Sequence, residues 1–315
     1  MNETPKNSNP DERPVAPLLR FSDALGELRA DADANHAAKT SGTLRGPVTG
    51  LPRLDKEISH ALAPGLHGVY GNAGAGKTAF AMQVAATCGF PALYVTCEMA
   101  PSELLRRHTA RATKTYLGRL KSGEMSGAEV ETLAKRALVT SPDFCLLDAT
   151  RAPAPHAHLL ETAQIAKGEA KHVLIVIDSL QSWAETMAPE SAGEYETLNA
   201  AILALRQIAH TLRAPILFIS ERNRKSMESG GLNAGAGSRK IEYGAETVFD
   251  LDRDMESQPN GAGEFEIKLR IAKNRHGSVG VSVPLLFNGA LQLFTENANP
   301  TAGTRGTKST VRNLA

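Results

Sequence analysis

Short apolar runs and helix-period stretches alternate through most of the chain. Pro91–Cys97, Phe144–Leu147, His172–Ile177 and Pro215–Ile219 are apolar strand candidates. His172–Ile177 is apolar without interruption, as in a strand buried on both faces. Between these runs, Ala79–Ala86, Pro101–Lys114, Gly127–Val139, Leu159–Ala170 and Tyr195–Leu212 carry helical patterning. Pro101 suits a first helical turn. This alternation predicts an α/β fold with a mostly parallel sheet flanked by helices. After Ile241 the pattern changes to strands and turns. Thr247–Leu251, Phe265–Ala272 and Val281–Phe294 read as C-terminal antiparallel strands, the last broken at Asn288-Gly289, a hairpin signal.

The ends differ from this middle. Residues 1–17 are polar and Pro-rich, so a disordered tail is expected. Residues 18–46 form an arm, with Leu18, Phe21, Leu25 and Leu28 on one helical face from Leu18 to Ala34. That face packs either on its own domain or on a neighbouring subunit. The main domain is expected over 47–296, followed by a flexible tail over 297–315.

The first chemistry sits at Gly71-Asn72-Ala73-Gly74-Ala75-Gly76-Lys77-Thr78, a complete G-x-x-x-x-G-K-T phosphate loop. Its glycines let the backbone wrap a polyphosphate with N–H groups turned inward. Lys77 can reach β- and γ-phosphates, and Thr78 can ligate Mg²⁺. A strand candidate, His67–Tyr70, precedes the loop and a helix former follows it, which is the setting this motif requires.

Nucleotide hydrolysis also needs an acid near Mg²⁺ and a group that handles water. Asp178 ends the strand Val173–Ile177, where ligands bind in open α/β sheets. Glu98 ends the other apolar strand, Pro91–Cys97. On the residues alone Glu98 is either a general base beside Asp178 or an acid at the start of the Pro101 helix.

Composition adds limits. The chain has 315 residues, 42% of them hydrophobic, and a formal net charge of +1. No global field draws it to nucleic acid or membrane, so any such contact is local. Its three cysteines form no C-x-x-C pair, and no apolar run reaches membrane-spanning length. A cytoplasmic setting without membrane attachment is expected.

Several stretches together resemble the C-terminal motor domain of DnaB-type replicative helicases, a RecA-like P-loop ATPase. They are Thr49–Asp55, the phosphate loop with Thr78–Met82, Glu98–Arg107, Ile177-Asp-Ser-Leu-Gln181, Ile241–Glu246 and Lys273-Asn-Arg275. The resemblance spans roughly Thr49 to Phe294. It implies ATP and Mg²⁺ as ligands, Glu98 as catalytic base, and Lys273 and Arg275 as cations supplied to a neighbour's nucleotide. Fingers acting in trans need head-to-tail contacts, which close into rings. A hexamer is implied, with the 18–46 arm linking subunits. Without the resemblance, Lys273 and Arg275 would be solvated charges at a strand end.

Two departures stand out. The family usually carries Gln as γ-phosphate sensor where this chain has Glu221. A carboxylate there must be paired or protonated near phosphate. Only a short arm precedes the motor, so a loader or primase partner is expected to attach differently. Arg222, Arg224, Lys225, Arg239 and Lys240, among glycines, form the candidate loop for single-stranded DNA. His156-Ala-His158 has no acidic or Cys neighbours and is read as a loop entering a helix. The expected function is a ring-forming, ATP-dependent helicase motor. The alternative is a RecA-like recombination or regulatory ATPase similar to RadA or KaiC. The missing N-terminal Cys cluster and the single motor unit weigh against it.

Overall fold

The computed structural model describes residues 18–141, 143–187, 192–221, 244–254 and 256–298; for Glu221 it describes the backbone only. The chain divides into two units, Met1–Arg45 and Gly46–Ala315. The described part of the first holds a short 3-10 helix, Phe21–Ala24, and α1, Leu25–Ser41. Gly42, left-handed at φ 69°, ends α1. No residue of α1 is buried, and Leu18, Phe21, Leu25 and Leu28 are all exposed.

The described part of the second unit is built on nine strands. β1 is Gly65–Gly71, β2 Ala92–Thr96, β3 Phe144–Asp148, β4 Leu174–Asp178 and β5 Pro215–Glu221. β6 is Thr247–Arg253, β7 Glu264–Asn274, β8 Ser282–Asn288 and β9 Leu293–Glu296. They form one sheet in the order β3-β2-β4-β5-β1-β6-β7-β8-β9. β1 to β6 run parallel, and β7 to β9 add antiparallel strands at one edge. The α/β expectation, with late antiparallel strands, holds.

Both faces of the sheet are covered because successive strand residues point to opposite sides. On one face Tyr94, Val176, Leu217 and Phe249 pack against α2, Pro52–Glu57, and α3, Lys77–Thr87. Leu54, Phe80 and Val84 are the buried residues these helices bring. On the other face Leu93, Ile175, Ile177 and Phe218 meet α6, His156–Lys167, α7, Leu180–Glu185, and α8, Glu194–Leu212. α8 contributes Leu198, Ile202, Leu205 and Ile208 at three- and four-residue spacing. α4, Pro101–Thr113, and α5, Gly127–Val139, complete the chain order; α5 starts on a capping box between Ser126 and Glu129.

Two local expectations change. Asn288 is the last residue of β8, so the hairpin turns through four residues rather than at Asn-Gly itself. The Asn288 side chain accepts the Leu291 amide at 3.0 Å and stabilises that wider loop. His156 and His158 lie in the first turn of α6, not in a loop. Trp183 belongs to α7, fully buried, its indole donating to the Ala154 carbonyl at 3.0 Å.

Candidate nucleotide site

β1 delivers the phosphate loop and α3 receives it. Gly71 closes β1 beside β6, where an added Cβ would stand 2.7 Å from the Leu251 carbonyl oxygen. Gly76 caps α3 at φ 91°, and a Cβ there would stand 2.9 Å from the Phe294 ring. Phe294 stacks on Phe287 with centroids 4.4 Å apart. The C-terminal hairpin therefore supports the loop from below. Among the described residues no side chain caps α3, so its first-turn amides suit an anion. The Lys77 ammonium donates to the carbonyls of Gly71 and Asn72 at 2.9 and 3.2 Å, inside the loop.

The acids converge on the same sheet edge. In register, Thr96 of β2 pairs with Asp178 of β4, which brings Glu98 next to Asp178. Asp178 is buried, at 7% exposure, and burial pushes its carboxyl up from the usual carboxylate range. The Glu98 charge pushes the same way; the Tyr94 hydrogen bond, the nearby Thr78 hydroxyl and the Lys77 charge oppose it. Tyr94 Oη donates to Asp178 Oδ2 at 2.5 Å. Burial first, and then Asp178, hold the Tyr94 phenol well above its ordinary value, so it remains a donor. Glu98 Oε1 accepts from Ser179 Oγ at 2.8 Å and Ser182 Oγ at 2.6 Å. Lys77, Thr78, Asp178 and Glu98 are thus brought together.

Lys273 and Arg275 are not brought to that cluster. Asn274 pairs with Thr247 at the start of β6, whereas Gly71 pairs with Leu251 near its end. Four residues of strand, about 13 Å at ~3.3 Å per residue, separate the two edges. Arg275 lies 3.8 Å from Glu246 Oε1, and His276 Nε2 lies 3.0 Å from Glu246 Oε2. The Glu221 backbone pairs with Gly71, one strand from the loop. Its side chain, and Arg222, Arg224, Lys225, Arg239 and Lys240, fall outside the described residues.

Several residues at the site were not singled out in the sequence. Ser179, Ser182 and Tyr94 hold the two acids. Gln181 Nε2 donates to Ser220 Oγ at 2.8 Å, tying α7 to the end of β5 beside Glu221. Arg253 donates to the Gly74 carbonyl at 3.1 Å and lies 3.7 Å over the Phe265 ring. Ser179 and Gln181 lie inside the Ile177–Gln181 stretch, but their partners are remote along the chain, so no local pattern reveals these contacts. Among the described residues no group of three or more His, Cys, Asp or Glu is placed to hold a metal. No helix among them is long and apolar enough to cross a membrane.

A parallel sheet carrying a phosphate loop after β1 and acids just after β2 and at the end of β4 defines a RecA-like P-loop nucleotide-binding fold. A solved ATPase domain shares it at TM-score 0.72 and 19% identity, covering 88% of this chain and 99% of that one. A DnaB-like replicative helicase, solved in a study of its interactions with primase, shares it at TM-score 0.70 and 19% identity, covering 89% and 67%. The RadB recombinase reaches TM-score 0.51 at 19% identity, covering 79% and 98%. The chain belongs to the family described as the DnaB-like helicase C-terminal domain, whose model matches residues 46–296.

Sequence relatives agree. A probable plasmid replicative DNA helicase of Chlamydia psittaci is 27% identical over 232 residues, 70% of this chain and 49% of that protein. The replicative DNA helicase DnaB of Leifsonia xyli subsp. xyli is 24% identical over 270 residues, 82% and 57%. The chain spans about half the length of these two relatives.

Proposed function

We propose that this chain is the motor of a ring-forming DNA helicase that hydrolyses ATP and moves along single-stranded DNA in replication. The observation that carries this reading is the split of its charged groups between two edges of one sheet. Lys77, Thr78, Asp178 and Glu98 share the carboxyl edge of the parallel strands, while Lys273 and Arg275 sit at the opposite edge. Head-to-tail packing would bring one subunit's Arg275 to the next subunit's phosphate loop, and such packing closes into rings. The family match adds the helicase assignment and favours it over a recombination or regulatory ATPase.

The donor set fits the ligands. The Thr78 hydroxyl is near enough to the Asp178 carboxylate to favour its charged form, so two hard oxygen donors meet next to the phosphate loop. Mg²⁺ takes such donors and, when bound, supplies charge neutralisation for the phosphates. Loop amides and Lys77 hold the β- and γ-phosphates. Glu98 accepts a proton from water as the water oxygen bonds to the γ-phosphorus and the bond to the ADP oxygen breaks. Lys273 and Arg275 of the next subunit stabilise the developing charge. Arg222, Arg224, Lys225, Arg239 and Lys240 track the DNA phosphates, and Glu221 takes the sensor position. A loader or primase is a further partner on this reading.

Native mass and the ATPase rate with and without single-stranded DNA test it, followed by unwinding of a forked duplex. Hexamers with DNA-stimulated hydrolysis and unwinding are expected. Monomers whose hydrolysis ignores DNA would sink the helicase reading.

A further inference from the structure

The hydroxyls of Ser179 and Ser182 lie 2.9 Å apart, and both reach the same oxygen of Glu98. Ser179 is the N-cap of α7, and its Oγ also takes the Ser182 amide at 3.4 Å. Three oxygens therefore form a closed triangle, with two hydroxyl protons to serve three contacts. Either both protons go to Glu98, or one serine donates to the other, which donates to Glu98. In each arrangement Oε1 is an acceptor, and Glu98 Oε2 takes no hydrogen bond among the described residues.

The Glu98 side chain is exposed, so nothing in the packing fixes its rotamers. α7 does fix the serines: it follows Asp178 directly, and Leu180 and Trp183 bury it against the sheet. We propose that Ser179 and Ser182 are positioning residues that lock Oε1 of Glu98 and so present Oε2 to the attacking water. The proposal rests on the reading of Glu98 as general base. Among the described residues the two hydroxyls bond Glu98 and each other; they act by reducing the orientations open to the carboxylate. Near-attack geometry is what such restriction supplies, and proton transfer falls steeply when it is lost.

Ser182→Ala is the informative variant, because Ser179 also caps the helix and Ser182 does not. It is expected to lower kcat by about tenfold. KM, and the affinity for a fluorescent ATP analogue, should stay within about twofold, since among the described residues neither serine hydrogen-bonds the phosphate loop. Ser182→Thr, which keeps the hydroxyl, should restore most of kcat. An unchanged kcat in Ser182→Ala overturns the clamp. A parallel loss of nucleotide affinity, without rescue by Thr, also overturns it, because that pattern marks a structural residue. Glu98→Gln is measured alongside. If it hydrolyses ATP at the normal rate, the general-base reading itself fails and the clamp falls with it. If it is inactive while Ser182→Ala is normal, only the clamp fails.

Discussion

Removing the Tyr94 hydroxyl isolates the group that holds Asp178. In Tyr94→Phe the ring still fills its fully buried place, and one donor disappears from Asp178 Oδ2. A hydrogen bond to a charged group contributes about 1.5–3 kcal/mol, and one to a neutral group about 0.5–1.5 kcal/mol. The cost of the substitution therefore depends on whether Asp178 is ionised. Burial already holds the Asp178 carboxyl above its unfolded value of 3.8. The folded protein consequently binds more protons than the unfolded chain between 3.8 and that raised value, and stability from this group falls as pH rises through the window. The Tyr94 donor favours the carboxylate, so its loss drives Asp178 higher and deepens the fall. The expected loss is about 2 kcal/mol at pH 8, shrinking to about 1 kcal/mol where Asp178 is protonated. Paired urea denaturations of wild type and variant, in EDTA across a pH series, measure it. A loss that is the same at every pH, or larger in acid, would refute the assignment of Tyr94 as a donor to ionised Asp178.

Gly76→Ala should cost about 2–4 kcal/mol, from the left-handed backbone and the approach to Phe294 together. Urea denaturation gives the cost, and binding of a fluorescent ATP analogue should weaken in the same variant. Burial lowers His67 to about 4 from 6.5, so its folded form stays neutral where the unfolded chain takes up a proton. Its stabilising contribution is complete above 6.5 and is lost as pH falls toward 4, a swing of about 3 kcal/mol. Urea midpoints across that window should fall less steeply in His67→Gln than in the wild type.

The fold was legible because its signals are local. β4 and β5 are apolar runs set between helical periods, and β1 with α3 bracket an unmistakable loop. Lys77, Thr78 and Asp178 could be assigned roles from their motif or their place at a strand end. Glu98 was legible as an acid at a strand end, but its partners were not, because Ser179 and Ser182 lie more than eighty residues away. The same holds for Gly76 against Phe294 and for Arg253 against Gly74, contacts that exist only once β6 to β9 are laid on the sheet. α2 was missed because six residues carry little periodicity, though Pro52 at its start marks the position. The wider β8–β9 turn was missed because Asn288 serves the loop through its side chain rather than its backbone. The placement of Lys273 and Arg275 at the far edge follows from β7 running antiparallel to β6, which no local pattern reveals.

Completion of each site by a neighbouring chain is tested most directly by mixing two inactive variants. Lys77→Ala lacks the phosphate lysine and Arg275→Ala lacks the finger. Each alone should hydrolyse almost no ATP, with Arg275→Ala still binding nucleotide. In a random 1:1 ring about a quarter of the interfaces join an intact loop to an intact finger. The mixture should therefore regain a substantial fraction of the wild-type ATPase rate. A mixture as inactive as its components, or an Arg275→Ala protein that hydrolyses ATP normally by itself, would contradict a site shared between subunits.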